Sequence, residues 1–183
     1  MTVHTVVQTR IGELTLVAED GFLTGVYFPH HWHRPDAATV GSYVESEPVL
    51  DIAARQLEEY LAGHRETFDL PVRASGDDFQ HRVWRLIDEI PYGRTATYGD
   101  LARELGDPAL ARDVGAAVGR NPLSIVVACH RVVGKDGKLT GYAGGLRRKQ
   151  DLLDLEQAIL PLPLTWDRSG GRRAVHRTSP SDR

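Results

Sequence analysis

The sequence predicts a small α/β unit over residues 1–75 followed by a mostly helical unit over residues 76–160. Short runs rich in β-branched residues alternate with turn residues near the N-terminus. Beyond residue 76, apolar residues recur instead at helical spacing. The Ser-Gly-Asp segment at 75–77 is a turn-like boundary between the two patterns. Residues 161–183 are rich in Pro, Gly, Ser and Arg, which predicts a flexible Arg-rich tail.

The N-terminal unit is expected to contain a small sheet and one main helix. Its three clearest strands are predicted at Val3–Gln8, Leu14–Ala18 and Leu23–Phe28. A helix fits Pro48–Ala62, and Gly63 is a typical stop signal. A further strand is expected near Phe68–Val72.

The C-terminal unit is expected to open with three helices. The first is capped by Asp77 or Asp78 and ends before the Pro-Tyr-Gly break at 91–93. Thr97 and Asp100 form a capping-box pattern for a second helix that reaches Leu105. A third helix follows from Pro108 to about Gly119.

Two short helices joined by a tight, glycine-containing turn predict a helix-turn-helix. The later helix of this pair is thin, because Ala111, Gly115 and Ala116 are small, and Arg112 projects from it. Small residues let a helix approach a surface or a groove closely. They also permit tight packing against a neighbouring helix, and the composition leaves both alternatives open.

The bulk composition indicates a globular chain without a membrane span. The 183 residues are 41% hydrophobic and 26% charged, with no run of about 18 apolar residues. The N-terminus lacks the pattern of a secretory signal, and the single cysteine suits a reducing, cytoplasmic setting. The net charge of −3 divides into −6 for residues 1–75, 0 for 76–156 and +3 for 157–183. The charge alone therefore gives little support for nucleic-acid binding.

The only cysteine, Cys129, follows an apolar run and precedes His130. A lone cysteine is either a buried small hydrophobe or a nucleophile. The apolar run is expected to be a buried strand that fixes the sulfur in a pocket. Beyond it, a polar hairpin tip is predicted at Gly134–Lys138, a glycine-rich loop at Gly141–Gly145 and a final helix at Leu146–Gln157.

Seven short motifs follow one another between Phe79 and Glu156. They are Ile90–Gly93, Thr97–Gly99, Ala111–Gly115, Asn121-Pro122, Cys129–Gly134, Gly141–Leu146 and Leu152–Glu156. In this order they resemble the O6-alkylguanine-DNA alkyltransferase family, and residues 11–14 and 25–28 resemble its first domain more loosely. The resemblance implies a ribonuclease H-like first domain and a winged-helix-like second domain with a helix-turn-helix.

The resemblance also implies an activity. A family member repairs double-stranded DNA by moving an alkyl group, usually methyl, from O6-alkylguanine, and from O4-alkylthymine, to its own cysteine. The cysteine is not regenerated, so each molecule acts once, and neither a cofactor nor a metal is implied. The expected partner is duplex DNA that carries the lesion. The protein is expected to be a monomer, and side-by-side clustering on DNA is left open.

Catalytic roles follow from the resemblance as well. Cys129 matches the nucleophile, His130 the base that acts through a water, and Glu156 the acid that orients the histidine. Tyr98 matches the tyrosine that helps turn out the target nucleotide and donates a proton toward the departing base. Taken alone, His130 is better explained as a structural histidine, and Glu156 as a solvated helix residue.

The remaining matches concern the pocket and the DNA. The implied pocket residues are Val132, Tyr142, Ala143 and Gly144. The implied DNA-binding residues are Tyr98, Ala111, Arg112, Gly115 and Ala116. In the family the arginine fills the gap left by the flipped base, and its helix enters the minor groove. Asn121 matches a buried asparagine that ties the helix-turn-helix to the cysteine segment.

Two positions depart from the family pattern. Ala128 stands where the family usually has proline before the cysteine, which frees the backbone and returns an N–H group. We expect activity to survive, with a change in rate or substrate range. Ala143 stands where many members have serine, so one hydroxyl contact is lost.

Two further interpretations are weighed against this one. His30, His31 and His33 could bind a metal, but no second ligand group is evident, and a solvent-exposed loop is expected instead. The alternative function is a DNA-binding sensor of alkylation or oxidation that uses the same helix-turn-helix and cysteine without efficient repair. The order of the motifs and the lack of further cysteines favour alkyl transfer.

Overall fold

The computed structural model describes residues 1–157, so the predicted tail at 161–183 lies outside the described residues. The N-terminal strands are β1 (Thr2–Thr9), β2 (Gly12–Glu19), β3 (Phe22–Tyr27) and β4 (Ser42–Tyr43). The helices of the N-terminal unit are α1 (Ala37–Val40) and α2 (Pro48–Leu61). The three main strands and the long helix were predicted, whereas α1 and β4 were not.

The four strands form one sheet in the order β3-β2-β1-β4. Strand β1 pairs antiparallel with β2 along its whole length, from Thr2 opposite Glu19 to Thr9 opposite Gly12. Gly12 has φ +109°, a value that glycine adopts without steric cost and that permits the tight turn. The predicted strand at 68–72 is wrong, because only a single bridge from Leu23 to Val72 forms there.

The C-terminal unit consists of short helices and one small parallel sheet. Its helices are α3 (Asp78–Asp88), α4 (Tyr98–Glu104), α5 (Ala111–Gly119) and α6 (Leu146–Leu155). Strands β5 (Ala96–Thr97) and β6 (Val132–Val133) pair with each other. Three 3₁₀ turns lie at Pro108–Leu110, Cys129–Arg131 and Lys135–Gly137. The predicted order of an α/β unit followed by a mostly helical unit is confirmed.

The predicted helix starts agree with the observed caps. Asp77 and Gln80 form a capping box on α3, and Thr97 and Asp100 form one on α4. Each box satisfies two backbone N–H groups that the first helical turn leaves free. The helix predicted from Pro108 begins as a 3₁₀ turn and becomes α-helical only at Ala111.

The segment before the cysteine is not the predicted strand. Val126 N donates to the Ser124 carbonyl and Cys129 N to the Val127 carbonyl, which are bonds of three-residue turns. The run is buried as expected, but its apolar pattern does not distinguish a strand from tight turns. The predicted hairpin at 134–138 is also wrong: a 3₁₀ turn closes there, and β6 pairs with β5 instead.

One continuous apolar core spans both units. Leu14 and Leu16 of β2 and Leu57 of α2 all belong to this core, and each is fully buried. Burial of a leucine side chain contributes about 1.5–3 kcal/mol relative to exposure. In the helical unit, Trp84 Nε1 donates to the Ala117 carbonyl at 2.9 Å and ties α3 to α5. Within residues 1–157, no helix has the length and apolar character to cross a membrane.

Candidate active site

Cys129 begins a 3₁₀ turn, and only 3% of its surface is exposed. Asn121 holds the preceding segment in place. Its Nδ2 donates to the Val127 carbonyl at 2.8 Å, and its Oδ1 accepts from Leu123 N at 2.9 Å. The asparagine therefore fixes the backbone that carries the sulfur, and it lies where the sequence places a supporting residue.

His130, the residue after Cys129, forms a buried pair with Glu156. His130 Nε2 lies 2.8 Å from Glu156 Oε1, and neither side chain is exposed. The carboxylate fixes the proton on Nε2, so Nδ1 is the basic nitrogen of the neutral ring. Within residues 1–157, this Nδ1 has no hydrogen-bond partner.

Glu156 is held by four further groups from three parts of the chain. Arg131 Nε donates to Oε2 at 2.9 Å, and Gly93 N donates to the same oxygen at 3.1 Å. Tyr60 Oη donates to Oε1 and also lies 3.2 Å from His130 Nε2. Arg131 Nη2 completes the set at 3.0 Å from Oε1. Hydrogen bonds of this number favour the ionised carboxylate.

These contacts set the charge state of the pair at neutral pH. Burial by itself would raise the pKa of Glu156, but the hydrogen bonds and charges of His130 and Arg131 hold that pKa at about 2. Burial lowers the pKa of His130, against the opposing pull of Glu156. At pH 7 the pair therefore consists of a neutral imidazole and a carboxylate, which is the state of a competent base.

The cysteine itself rests as a thiol. Burial raises the pKa of Cys129, although the side chain of Asn121 and the charge of Lys149 act in the opposite direction. A buried thiol with a raised pKa is a poor nucleophile until a base removes its proton.

Lys149 lies inside the protein near the cysteine, with no exposed surface. Its Nζ donates to the carbonyls of Thr140 and Gly141 at 3.0 and 3.1 Å. Tyr98 Oη donates to the same Thr140 carbonyl at 3.1 Å. Burial lowers the pKa of Lys149 to about 8, against the pull of Cys129. The lysine and the tyrosine thus anchor one end of the glycine-rich loop.

A cavity of about 30 Å³ lies over the sulfur. It is lined by Trp32, Tyr98, Gly115, Val118, Gly119, Cys129, Gly141, Tyr142 and Ala143. Four residues predicted for the DNA face or pocket, namely Tyr98, Gly115, Tyr142 and Ala143, therefore meet at the cysteine. Burial raises the pKa of Tyr142 well above its ordinary value, so its hydroxyl stays protonated.

Two predicted pocket residues do not line this cavity. Val132 pairs with Ala96 in the small parallel sheet. Gly144 packs against Phe28, and a Cβ at position 144 would lie 2.5 Å from the phenyl ring. Gly144 therefore helps to support the glycine-rich loop without lining the cavity.

Helix α5 has one buried and one outer face. Val114 and Ala117 are buried, whereas Arg112 and Ala116 are exposed and Ala111 is half-buried. Within the described residues, Arg112 forms no ion pair. The exposed face is thus an arginine set among small side chains, next to the cavity.

Two family models match almost the whole described chain. Residues 2–74 match the ribonuclease-like domain of 6-O-methylguanine DNA methyltransferase, and residues 78–158 match the DNA binding domain of the same protein. The chain belongs to the 6-O-methylguanine DNA methyltransferase family.

Curated relatives cover nearly the full chain. The methylated-DNA–protein-cysteine methyltransferase of Mycolicibacterium paratuberculosis is 44% identical over 165 residues, which are 90% of this chain and 98% of the relative. The protein of the same name from Methanosarcina acetivorans is 42% identical over 84% of this chain and 97% of its own. The chain is accordingly a methyltransferase of this DNA-repair class.

A solved structure has the same fold. Mycobacterium tuberculosis OGT, crystallised in complex with DNA, is 40% identical and superposes with a TM-score of 0.76. The match covers 85% of this chain and 92% of that chain.

Three residues around the methyltransferase cysteine could not be assigned from the sequence. Of the three, only Arg131 could have been recognised in the sequence. It directly follows His130, and a buried arginine needs an acidic partner. Tyr60 occupies an apolar position of an amphipathic helix, and Lys149 is one of three consecutive basic residues. Their roles depend on contacts between distant segments.

The histidine cluster differs from its prediction. His30 and His33 are exposed as expected, but His31 is buried, with 6% of its surface exposed. It packs edge-on against Tyr27 and stacks on Phe28. Within residues 1–157, no group of three or more His, Cys, Asp or Glu side chains is placed to hold a metal ion.

Proposed function

We propose that this methyltransferase transfers an alkyl group from O6 of guanine, and from O4 of thymine, in double-stranded DNA irreversibly to Cys129. The observation that carries the proposal is the buried thiol beside a neutral imidazole whose Nε2 is fixed by Glu156. In such an arrangement the thiol stays protonated until the base removes its proton. No cofactor is required for the transfer, and the thioether product leaves no path back to the thiol.

The transfer is an in-line attack on a saturated carbon. The thiol proton passes through a bridging water to Nδ1 of His130, the S–C bond forms, and the bond from carbon to guanine O6 breaks. The departing base takes up a proton from the Tyr98 hydroxyl, which the imidazolium or solvent later restores. Glu156 stabilises the imidazolium as it forms. Pairing with Arg131 keeps this carboxylate ionised throughout.

The target carbon is inaccessible inside a stacked duplex, so the base must be flipped out at a cost of a few kcal/mol. The outer face of α5 is suited to the minor groove, because Ala111, Gly115 and Ala116 leave room for close approach. Arg112 then fills the space that the base vacates. A relative, M. tuberculosis OGT, has been crystallised in complex with DNA, which supports the binding of DNA by this chain.

The pocket residues would hold the flipped base. Tyr142 and Ala143 line the same cavity as Cys129, and their backbone N–H groups would donate to the guanine O6. Although Val132 does not line the cavity in the free protein, its carbonyl would accept from the exocyclic amine of the bound base. Gly144 and Asn121 would hold the glycine-rich loop and the cysteine segment in place. We further propose that residues 1–75 and 76–160 are the two domains and that the protein acts as a monomer.

Intact-mass measurement tests the transfer directly. The protein is mixed with a duplex oligonucleotide that carries one O6-methylguanine. We expect a gain of about 14 Da, the mass of one methylene, with one equivalent consumed per protein. Cys129→Ser is the matched control and should show no gain.

Two outcomes would contradict the proposal. Tight lesion binding without a mass change would instead favour the alternative function, a DNA-binding alkylation sensor. Consumption of many equivalents of lesion per protein would exclude single use of the cysteine.

A further inference from the structure

The proposed mechanism leaves one residue at the cavity unused. Trp32 lies in the turn after β3, on the N-terminal unit, yet it lines the same cavity as Cys129. Its side chain is 62% exposed, which is unusual for an indole that borders a reactive thiol.

The indole of Trp32 lies across the entrance between two segments of the C-terminal unit. A Cβ built on Gly141 would lie 3.5 Å from Cη2 of the indole, and one built on Gly119 would lie 4.0 Å from Cε3. The indole thus rests against the bare backbone of the α5 C-terminus on one side and of the glycine-rich loop on the other. A flat bicyclic ring has the shape of a purine base, and it lies at the opening that such a base would use.

The turn that carries Trp32 is anchored at its base. His31 is buried next to Phe28, whose ring in turn packs edge-on against Tyr142 of the cavity wall at 5.9 Å. Arg34 donates to the Thr15 hydroxyl at 3.0 Å and to the Pro29 carbonyl at 3.3 Å. Trp32 is therefore presented from a fixed support, while its own side chain is free to change rotamer toward solvent.

The small size of the cavity indicates that the indole closes its entrance. A cavity of about 30 Å³ has room for only about two water molecules, since one water needs roughly 10–15 Å³ of such space, so a purine cannot enter the cavity as it stands. Cys129, Tyr142 and Ala143 are buried lining residues with little room to move. Trp32 is an exposed lining residue whose departure would open the mouth.

We propose that Trp32 is a specificity-determining residue: its indole closes the mouth of the Cys129 pocket in the free protein and must be displaced before an alkylated purine enters. The consequence is selectivity, since a single-use thiol is kept from free bases and small electrophiles. Duplex DNA supplies the lesion at a high local concentration and so competes with the indole. The proposal rests on the proposed function for its purine ligand, but closure of the thiol can be tested without it.

The test measures the rate at which Cys129 is modified in Trp32→Ala, Trp32→Phe and wild type. Iodoacetamide and free O6-benzylguanine are the two probes, and intact mass is the readout. We expect Trp32→Ala to react at least about fivefold faster with both, because a pocket open only part of the time lowers the apparent rate by that fraction. Trp32→Phe should lie between the two. His33→Ala, an exposed position on the same turn, is the control and should react at the wild-type rate.

The outcomes separate the two proposals. Equal rates for Trp32→Ala and wild type, with thermal unfolding unchanged, would refute the closed mouth. Slower reaction of Trp32→Ala with O6-benzylguanine would mean that the indole binds the base, and would also refute it. If iodoacetamide follows the expected order but wild-type protein never accepts an alkyl group from O6-methylguanine DNA, the mouth is closed as proposed and the proposed function fails.

A second measurement uses Cys129→Ser, which cannot react. Addition of free O6-benzylguanine should change the tryptophan emission as the indole moves into water, and the change should disappear in Cys129→Ser combined with Trp32→Phe. Binding without any change in emission would contradict displacement of the indole.

Discussion

At the scale of single residues, Ala128 is the clearest departure from the family, yet its backbone has the conformation that a proline would impose. Its φ is −75°, inside the range that a proline ring imposes. With ψ 58° it forms the centre of an inverse γ-turn, closed by the bond from Cys129 N to the Val127 carbonyl at 2.7 Å. The alanine thus holds the proline-like conformation without the ring, because the turn is fixed by Asn121.

Sequence reasoning proposed the reacting residues and one support, Asn121, but it missed the contacts of Tyr60, Arg131 and Lys149. Cys129 and His130 lie in one motif, and Glu156 ends another, so short segments were enough to predict them. Tyr60 was not predictable in this way, because it reaches Glu156 across a separation of 96 residues. A tyrosine in an amphipathic helix indicates core packing, and nothing local shows that its hydroxyl meets a carboxylate.

Tyr60→Phe tests whether this hydroxyl positions the catalytic pair. Its removal leaves the Glu156 carboxylate with one donor fewer, so the carboxylate attracts the His130 imidazolium more strongly. We expect the single-turnover transfer rate at pH 7 to fall about 3–10-fold, a small part of the roughly 10²–10⁴-fold that a positioned general base contributes. We also expect the acidic limb of the pH–rate profile to move to higher pH. The measurement is the transfer rate from O6-methylguanine DNA between pH 5 and 9.

Tyr92→Phe is the matched control, because Tyr92 Oη contacts only the Leu155 carbonyl, at 3.4 Å, among the described residues. Its pH–rate profile should overlay that of wild type. If Tyr60→Phe lowers the unfolding free energy but leaves the profile in place, the hydroxyl is structural and does not position the pair.

At the scale of elements, helix α5 shows that the two alternatives left open by its composition do not exclude each other. It has small residues on both its inner face and its outer face. Ala117 on the inner face lets Trp84 approach and bond to its carbonyl. On the outer face Ala116 is exposed beside Arg112, and nothing in residues 1–157 covers them. A helix that is thin on both sides can pack closely inside and still enter a narrow groove.

Arg112→Ala tests the outer face. If the arginine fills the space left by the flipped base, its loss affects only substrates that must be extruded. We expect repair of duplex O6-methylguanine to slow at least about tenfold, since 1.4 kcal/mol of extrusion energy corresponds to that factor. Reaction with free O6-benzylguanine should change less than about twofold, because no base is extruded and no transition-state contact is lost. Single-turnover rates on the two substrates provide the comparison.

Arg120→Ala, an exposed arginine at the end of the same helix, controls for simple loss of charge. This variant should weaken DNA binding and reduce the dependence of binding on salt. It should leave the ratio of the rates on duplex DNA and on free O6-benzylguanine unchanged. Equal losses on both substrates in Arg112→Ala would place the arginine in folding or chemistry instead.

The elements that sequence reasoning misjudged have two causes. Residues 125–128 form an apolar run, and an apolar run reports burial without fixing the backbone conformation. Residues 68–72 place apolar side chains at alternate positions like a strand, but they include Pro71, which cannot donate to a strand ladder. Ile125 has φ +72°, which a β-branched residue rarely adopts, so no propensity scale would place a turn there. Such strain persists where the surrounding structure determines it, and here it precedes the reactive cysteine.

At the scale of the whole molecule, the two units were predictable one at a time but their junction was not. Val26 N of β3 donates to the Pro122 carbonyl at 2.8 Å, next to the asparagine that holds the cysteine segment. Arg148 Nε of α6 donates to the Ile11 carbonyl at 2.8 Å. With Tyr60, these bonds make the N-terminal unit part of the active-site framework, although every reacting group proposed here lies in the C-terminal unit.

His31 belongs to this junction and predicts how the molecule responds to acid. Burial, with smaller contributions from the charges of His33 and Arg34, lowers the pKa of His31 to about 4, although the Asn121 backbone opposes this. The unfolded chain therefore takes up a proton near the ordinary pKa of about 6.5, whereas the folded protein resists it. The resulting stability is fully present above pH 6.5 and is lost as the pH falls toward 4.

The comparison of wild type with His31→Gln isolates this effect. At pH 7 the variant should have the lower free energy of unfolding, because glutamine packs less well against Tyr27 and Phe28. The difference in unfolding free energy between the two proteins should narrow between pH 6.5 and 4.5, because only the wild type loses the contribution of His31. The lowered pKa of His130 acts equally in both proteins, so its effect cancels. Urea unfolding at several pH values measures this difference. For His30→Gln, at an exposed position, the unfolding free energy should follow that of wild type at every pH. If the difference between His31→Gln and wild type stays constant with pH, His31 titrates normally in the folded protein.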